Sequence, residues 1–397
     1  MNTCNLCGKK LFPVLNLGKH PLCDDLIKPS ENRTNREYLI EIIFCRNCII
    51  AYQKYIVPKK ILFPKNYHYR SKMTEDVING QKLLVEDVKK YLKEIKNLKV
   101  LDIGCNDGTL LDLFKIEKCK TIGVEPTNAY IEASRRHKIY NDYFEKKLAI
   151  KIKKKYKEID IITFTNVFAH INDLNDLIES LKILISNKTI IVIENHYLES
   201  ILRSNQFDTF YHEHPRTYSL KSLKIIADRL NLNIVNVKYP KRYGGNIRVI
   251  LSSSQSKINF FNTFKREEKL YLKFLMLNKK IKKWKKNKIK LFTKLNKKYG
   301  PLPAKAFPGR AAIILKLLNL SNKNISAIFE KPKSKKIGFY APGTNIQIVN
   351  DQKLIDINKK IPIINLAWHI KKEIKKYIKS KSLKNKIINI IEKKDFN

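Results

Sequence analysis

Apolar and polar positions change period several times along the chain, and each change marks an element. "LKVLDIGCNDGTLLDLF" has an apolar run over 98–103, a glycine-containing turn and an amphipathic stretch from Thr109, which predicts a strand, a loop and a helix. "KTIGVEP", "IDIITFTNVFAH" and "TIIVIENHY" repeat the short apolar run at the spacing of successive strands, each closing on polar residues. The pattern is that of a doubly wound α/β sheet, whose ligands bind beyond the carboxyl ends of its strands. "SLKSLKIIADRL" predicts a helix with Ser219 as its N-cap. "KREEKLYLKFLMLNKKIKKWKKNKIKLF" spaces its apolar residues near the helical period and predicts a long linker helix with a solvated basic face, for which membrane-surface binding is the alternative. Beyond "YGPLPAKAFPGR", helix and strand alternate again in "AAIILKLLNL", "ISAIFEK" and "IPIINLAW", so a second, smaller Rossmann-like domain is expected. The expected organisation is 1–65, 66–255, a helical linker over 256–299, and 300–397.

Composition changes this picture little. A chain of 397 residues exceeds what one hydrophobic core usually serves, in keeping with several packed domains. The net charge of +44 would suit a nucleic-acid partner, but the lysines run the whole length together with surplus isoleucine and asparagine. That is the mark of A/T-rich codon usage, so no nucleic acid is expected as partner and an anionic small substrate fits equally well. No run long enough to span a membrane and no apolar signal core at "MNTCNLCGKK" is present, so a cytoplasmic protein is expected.

Cysteine spacing adds a metal. Cys4 and Cys7 form one C-x-x-C pair and Cys45 and Cys48 a second, and four thiolates from two tight turns suit a closed, structural zinc site. The stretch between the pairs must form a small insert of its own. Cys23, Cys105 and Cys119 have no partners at ligand spacing.

The first predicted strand ends in Asp102, and Gly104 and Gly108 let the backbone of its loop pass close to a ligand. Asn106 and Asp107 lie between them, and Glu125 closes the second strand where it can accept both hydroxyls of a ribose. The loop reads Asp-x-Gly-x-Asn-Asp-Gly instead of G-x-G-x-x-G, and the third strand ends in Asn166 with His170 close behind. Both features favour S-adenosylmethionine over a dinucleotide.

The densest chemistry lies in "FDTFYHEHPRTYSL". This aperiodic loop over the same rim of the sheet places Tyr211, His212, Glu213 and His214 in a row. Strict extension would put His212 on the opposite side from Tyr211 and Glu213, whereas a looped backbone could gather several of them. Imidazole titrates near neutral pH and a carboxylate can orient it, so the loop is a candidate proton-transfer site beside a methyl donor. Three neighbouring ionisable groups could instead simply hold the start of the following helix.

Taken in order, "CNLCGKK", "LGKHPL", "CRNC", "DIGCNDGTLL", "NVFAHINDLNDL", "FDTFYHEHPRTYSLKSL", "YGGNIRV", "APGTNIQI" and "IPIINLAWHIKKEI" resemble the nucleotide-sugar C-methyltransferase family over essentially the whole chain. The resemblance implies an α/β protein: a class I, Rossmann-like methyltransferase domain, an N-terminal zinc-binding module and a smaller C-terminal Rossmann-like domain that helps hold a nucleotide-linked sugar. It also implies that Tyr211, Glu213 and His214 line the sugar site, that His170 shapes the same cleft, and that Tyr67 or Tyr69 reaches the substrate. A ketone at C4 of the hexose would acidify the neighbouring proton, His214 would remove it, Glu213 would orient that base, Tyr211 would hydrogen-bond the enolate oxygen, and the enolate would attack the cofactor methyl. Two departures bear on specificity: Arg216 follows the Tyr-His-Glu-His motif and would add a cation beside the substrate, and Arg310 in "FPGR" would meet a diphosphate. A sugar O-methyltransferase, which needs a base but no ketone, is the second reading, and a nucleic-acid-associated methyltransferase or zinc-ribbon binding protein the third. Sugar, nucleotide, methylated atom and oligomeric state are open at this level.

Overall fold

The computed structural model describes residues 2–396 and contains three sheets. The first is antiparallel in the order β1-β2-β3-β9, formed by Phe12–Pro21, Glu37–Cys45, Ile50–Gln53 and Arg216–Thr217. Its last strand comes from the tail of the Tyr-His-Glu-His loop, with Ala51 opposite Thr217 and Tyr52 opposite Arg216. The cysteine-bearing module is therefore hydrogen-bonded directly to the candidate site.

The second sheet has seven strands in the order β10-β11-β8-β7-β4-β5-β6. Lys99–Ile103 (β4), Lys120–Val124 (β5), Lys138–Tyr140 (β6), Ile161–Thr165 (β7) and Ile190–His196 (β8) run parallel, while Asn246–Ser252 (β11) runs antiparallel to both β8 and Asn233–Lys238 (β10). The central parallel strands β4, β7 and β8 are rich in buried apolar residues because helices cover both faces of the sheet. Strand order reverses between β4 and β7, and that switch point opens a crevice at the carboxyl ends. This is the expected class I methyltransferase sheet.

The third sheet is all-parallel in the order β14-β13-β12-β15-β16, formed by Leu302–Lys305 (β12), Ile325–Glu330 (β13), Ile348–Asn350 (β14), Ile363–Asn365 (β15) and Ile387–Asn389 (β16). Its own switch point lies between β12 and β15. The carboxyl ends of β12 and β13 face those of β4, β5, β7 and β8 across one cleft.

The helix Leu270–Tyr299 is more than a solvated linker. Leu270, Phe274, Leu277, Ile281, Trp284 and Phe292 recur at helical spacing and are buried in one core with Val14, Phe44, Ile313 and Ile328, which joins the N-terminal module to the C-terminal domain. The Trp284 indole nitrogen donates to the Ile390 carbonyl, and Lys288 pairs with Asp395. Ser219 caps its helix as expected, in a reciprocal box with Ser222. Among the described residues, no helix is long and apolar enough to cross a membrane.

Candidate functional site

The loop from Phe207 is pinned before it reaches the cleft. Phe207 packs on Trp284 with ring centroids 4.8 Å apart and Phe210 on Phe274 at 5.4 Å, while the Gln53 amide group donates to the Tyr211 carbonyl. Held at these points, the backbone turns Tyr211, Glu213 and His214 into a cleft of about 990 Å³. His212 points the other way, and its Nε2 donates to the Tyr38 carbonyl of the cysteine module at 3.0 Å. The four consecutive residues thus divide into three that line the cleft and one that ties the loop down.

His214 Nδ1 lies 2.8 Å from the Thr209 carbonyl. A carbonyl can only accept, so Nδ1 carries the proton and Nε2 keeps its lone pair for the cleft. The orienting partner is this carbonyl; Glu213 instead accepts a hydrogen bond from the Tyr67 hydroxyl at 3.2 Å. Burial, with the Arg310 guanidinium nearby, pushes His214 down to about 4, so the imidazole is neutral across the physiological range. Burial and the neighbouring Asp24 push Glu213 up to about 8. His170 stacks on His214 with centroids 5.1 Å apart, His196 approaches edge-on at 5.1 Å, and the Tyr211 ring lies at 4.3 Å.

The cofactor residues divide as well. Gly104, Asn106, Glu125 and Asn166 line the cleft at the ends of β4, β5 and β7; Asp102, Asp107 and Gly108 do not. Asp102 lies beneath the loop, where its carboxylate accepts from the Thr163 hydroxyl at 2.7 Å and burial lifts it to about 7. Asp107 accepts from the Thr109 amide and hydroxyl and from the Lys72 amide, which fastens the segment preceding the domain over the loop. Gly104 has φ +70°, and a Cβ there would lie 2.6 Å from Val167, so the close passage of two loops requires glycine. Glu125 accepts from the Asn106 amide and from the Thr127 amide and hydroxyl. This donor set fits S-adenosylmethionine: a carboxylate for vicinal hydroxyls beyond β5, and beyond β7 the Asn166 side-chain amide beside a Thr165 hydroxyl that is buried without a partner among the described residues. Thr165 escaped the sequence reading because a threonine inside an apolar run looks like ordinary strand.

The four cysteine Sγ atoms of Cys4, Cys7, Cys45 and Cys48 lie within 4.8 Å of one another, with Cys7 and Cys45 at 3.6 Å. Tetrahedral zinc with bonds of about 2.3 Å sets its sulfur ligands about 3.8 Å apart, so the set fits. The Tyr52 hydroxyl lies 3.2 Å from the Cys4 sulfur, and Tyr52 belongs to the strand paired with β9. Cys45→Ser is expected to lose zinc, measured by metal analysis, and to lower soluble yield. Full zinc content in that variant would overturn the four-thiolate assignment.

The expectation for Arg216 changes. Arg216 is fully buried away from the cleft and donates to the carbonyls of Ile171 and Asn172, because its strand pairs with the cysteine module. Arg248 on β11 is buried in an ion-pair network with Glu194 and Asp87. The cleft also gains residues from the C-terminal domain: Arg310, His369 and, after β13, the lysines 331, 333, 335 and 336. His369 is held behind "NLAW", whose apolar pattern signals a strand and not a site.

Three family models match in sequence: a putative zinc binding domain over residues 4–63, a methyltransferase domain over 73–237 and a C-methyltransferase C-terminal domain over 241–389. The chain is similar to C-methyltransferase NovU of Streptomyces niveus, 24% identical over 253 residues that cover 63% of this chain and 60% of that protein. It is also similar to the ubiquinone biosynthesis O-methyltransferase of Pelagibacter ubique (strain HTCC1062), 30% identical over 118 residues, 28% of this chain and 46% of that protein. The alignments therefore span about three fifths and under half of these two relatives. A SAM dependent methyltransferase from Archaeoglobus fulgidus aligns in three dimensions at 19% identity and a TM-score of 0.35, covering 43% of this chain and 93% of that one.

Proposed function

We propose that this chain, which has the three-part architecture of the C-methyltransferases, is an S-adenosylmethionine-dependent enzyme that methylates the carbon beside the ketone of a nucleotide-linked 4-keto hexose. The observation that carries the reading is the free Nε2 of His214, neutral and facing the cleft that Glu125 and Asn166 also line. A carbon acid next to a carbonyl needs a base with an available lone pair, held at a fixed angle and shielded from water. The Thr209 carbonyl fixes the angle, and the His170 and His196 rings exclude solvent on two sides. Bound S-adenosylmethionine supplies an electrophilic methyl group. Tyr211 lines the cleft and can donate to the substrate oxygen, and Glu213, protonated below about pH 8, can donate as well.

The lysines 331, 333, 335 and 336 line the cleft from the C-terminal domain and suit the negative charge of a nucleoside diphosphate. Carbon is favoured over oxygen as acceptor by the C-terminal match, which is to a C-methyltransferase domain, while the similarity to an O-methyltransferase is confined to 118 residues. The test is incubation with methyl-deuterated S-adenosylmethionine and a panel of nucleotide-linked keto and non-keto hexoses, followed by NMR of the product. Label on a ring carbon beside the ketone is expected. Label on oxygen would convert the reading to O-methylation, and no transfer to any keto sugar would reject it.

A further inference from the structure

Arg310 follows β12 in the C-terminal domain, yet its side chain is anchored in the loop that carries the base. Nε and Nη2 donate to the two Asp208 oxygens at 2.8 and 2.6 Å, and Nη2 also lies 3.3 Å from Gln206 Oε1. The Trp368 ring packs 5.4 Å from the guanidinium carbon while its indole nitrogen donates to the same Asp208 at 2.9 Å. Four contacts thus lock the plane of a side chain that is only 7% exposed. The remaining nitrogen, Nη1, is buried with no hydrogen-bond partner among the described residues. An unsatisfied buried donor on a charged group is costly, and a native structure retains one where a ligand or solvent completes it.

The surroundings of Nη1 define that ligand. Arg310 lines the cleft, and its charge is felt by His214, His196, His369 and Tyr211, which places it in the group around the base. Nη1 keeps two N–H bonds, but both sit on one nitrogen and cannot form the parallel pair of donors from two nitrogens with which an arginine usually grips a phosphate, so they suit a single oxygen better than a diphosphate. The lysines after β13, which line the same cleft, are the groups proposed above to meet the diphosphate.

Building on the reading of the site as a carbon methyltransferase, we propose that Arg310 is a catalytic residue whose Nη1 hydrogen-bonds the oxygen on which charge develops as His214 removes the carbon-bound proton. The proton moves from carbon to His214 Nε2, the C–H pair becomes the C=C bond, and the carbonyl π pair moves to oxygen. As the carbonyl re-forms, that carbon pair bonds the methyl group and the S–CH3 pair stays on sulfur. The intermediate sets imidazolium, enolate and guanidinium side by side, so the oxyanion separates two cations that repel each other in its absence. Donors preorganised for developing charge in a buried site are among the strongest catalytic devices.

The experiment compares wild type, Arg310→Lys and Arg310→Ala in two assays: methyl transfer, and exchange of the substrate's ring proton with D2O in the presence of S-adenosylhomocysteine, followed by NMR. Calorimetric affinity for S-adenosylhomocysteine checks that each variant is folded, and Arg310→Lys keeps a cation against Asp208 should the alanine variant fail. Exchange and transfer at saturating substrate are expected to fall together by about 10²–10³, with KM for the nucleotide sugar changing little and added guanidinium restoring part of the alanine variant's rate. Unchanged exchange at saturation with a KM raised tenfold or more would show that Arg310 grips the diphosphate and overturn the assignment. Loss of exchange in Arg310→Ala that guanidinium does not restore, with Arg310→Lys fully active, would reduce it to a structural cation. Wild type that neither exchanges the proton nor transfers methyl to a keto sugar would instead defeat the C-methylation reading, and this inference with it.

Discussion

Replacing His214 by alanine is expected to lower turnover by about 10²–10⁴-fold, the usual contribution of a positioned general base, while S-adenosylmethionine binds as in the wild type. The split follows from geometry: His214 contacts the Thr209 carbonyl, His170, His196 and Tyr211, whereas Asn106, Glu125 and Asn166 sit at the ends of other strands. A parallel loss of cofactor affinity in calorimetry would show that the imidazole holds the cleft together and is no base. The pH profile supplies a second readout. His214 is lowered from the usual imidazole value to about 4, so the deprotonated base persists to low pH and kcat/KM should fall only as pH drops through about 4. Glu213 is raised to about 8, so if its neutral acid donates to the substrate, activity should fall as pH rises through about 8. A lone limb near 6.5, or an alanine variant keeping a tenth of the rate, would sink the assignment. Linkage works the same way in stability. A histidine buried neutral stabilises least in acid, so His214 favours unfolding as pH falls from the ordinary imidazole value toward 4.

How much of this was legible beforehand depends on whether the signal was local. Strands β4, β5, β7 and β8 are short apolar runs bounded by turns, and their polar carboxyl ends announce a ligand edge in any doubly wound sheet. The cysteine pairs are equally local, since each C-x-x-C is a complete knuckle. Tyr211, Glu213 and His214 stood out by density, whereas the separation of His212 from them is set by a turn, closed by the His214 amide on the Tyr211 carbonyl, that strict alternation does not predict. What could not be read is pairing at long range. Arg216 and Arg310 look alike in sequence as arginines near a site, but one is drawn into the cysteine module by two residues of strand pairing and the other is clamped beside the base by an aspartate 102 positions earlier. The lysine-rich helix misled for a related reason: its charge is uniform with the whole chain, while the burial of Phe274, Leu277, Ile281 and Trp284 depends on partners from two other modules. Glu194 and Arg248 are a further case, because the sequence of two separate strands does not show that their charges meet and are buried together.

Glu194→Ala is expected to be the most destabilising single change outside the metal site, costing about 3–5 kcal/mol, because it strands buried charge. The Glu194 carboxylate is fully buried on β8, with Arg248 Nε at 2.7 Å on one oxygen and Arg242 Nη1 and Asn246 Nδ2 at 3.2 and 3.0 Å on the other. Arg248 reaches on to Asp87 at 2.6 Å and the Gly80 carbonyl at 2.9 Å, so the network bolts the helix Glu75–Leu92 to the sheet. Gly80 permits this: a Cβ there would lie 2.5 Å from Arg242 Nη1. Removing the carboxylate leaves Arg242 with no ion pair and Arg248 with one among the described residues. A loss of that size is a large part of a domain's total stability and should lower the melting temperature by roughly 10 °C in calorimetry. The damage should extend to ligand binding, since Asn246 also donates to Asn166 at 3.2 Å and the Asn166 amide to the Glu194 carbonyl at 2.7 Å. S-adenosylmethionine affinity is therefore expected to fall in Glu194→Ala even below its melting range. Glu194→Gln, which keeps the acceptor shape without the charge, should recover more of the affinity than of the stability. Equal melting temperatures for wild type and Glu194→Ala would show that solvent or a shifted Asp87 replaces the carboxylate, and the network would then be packing without electrostatic consequence.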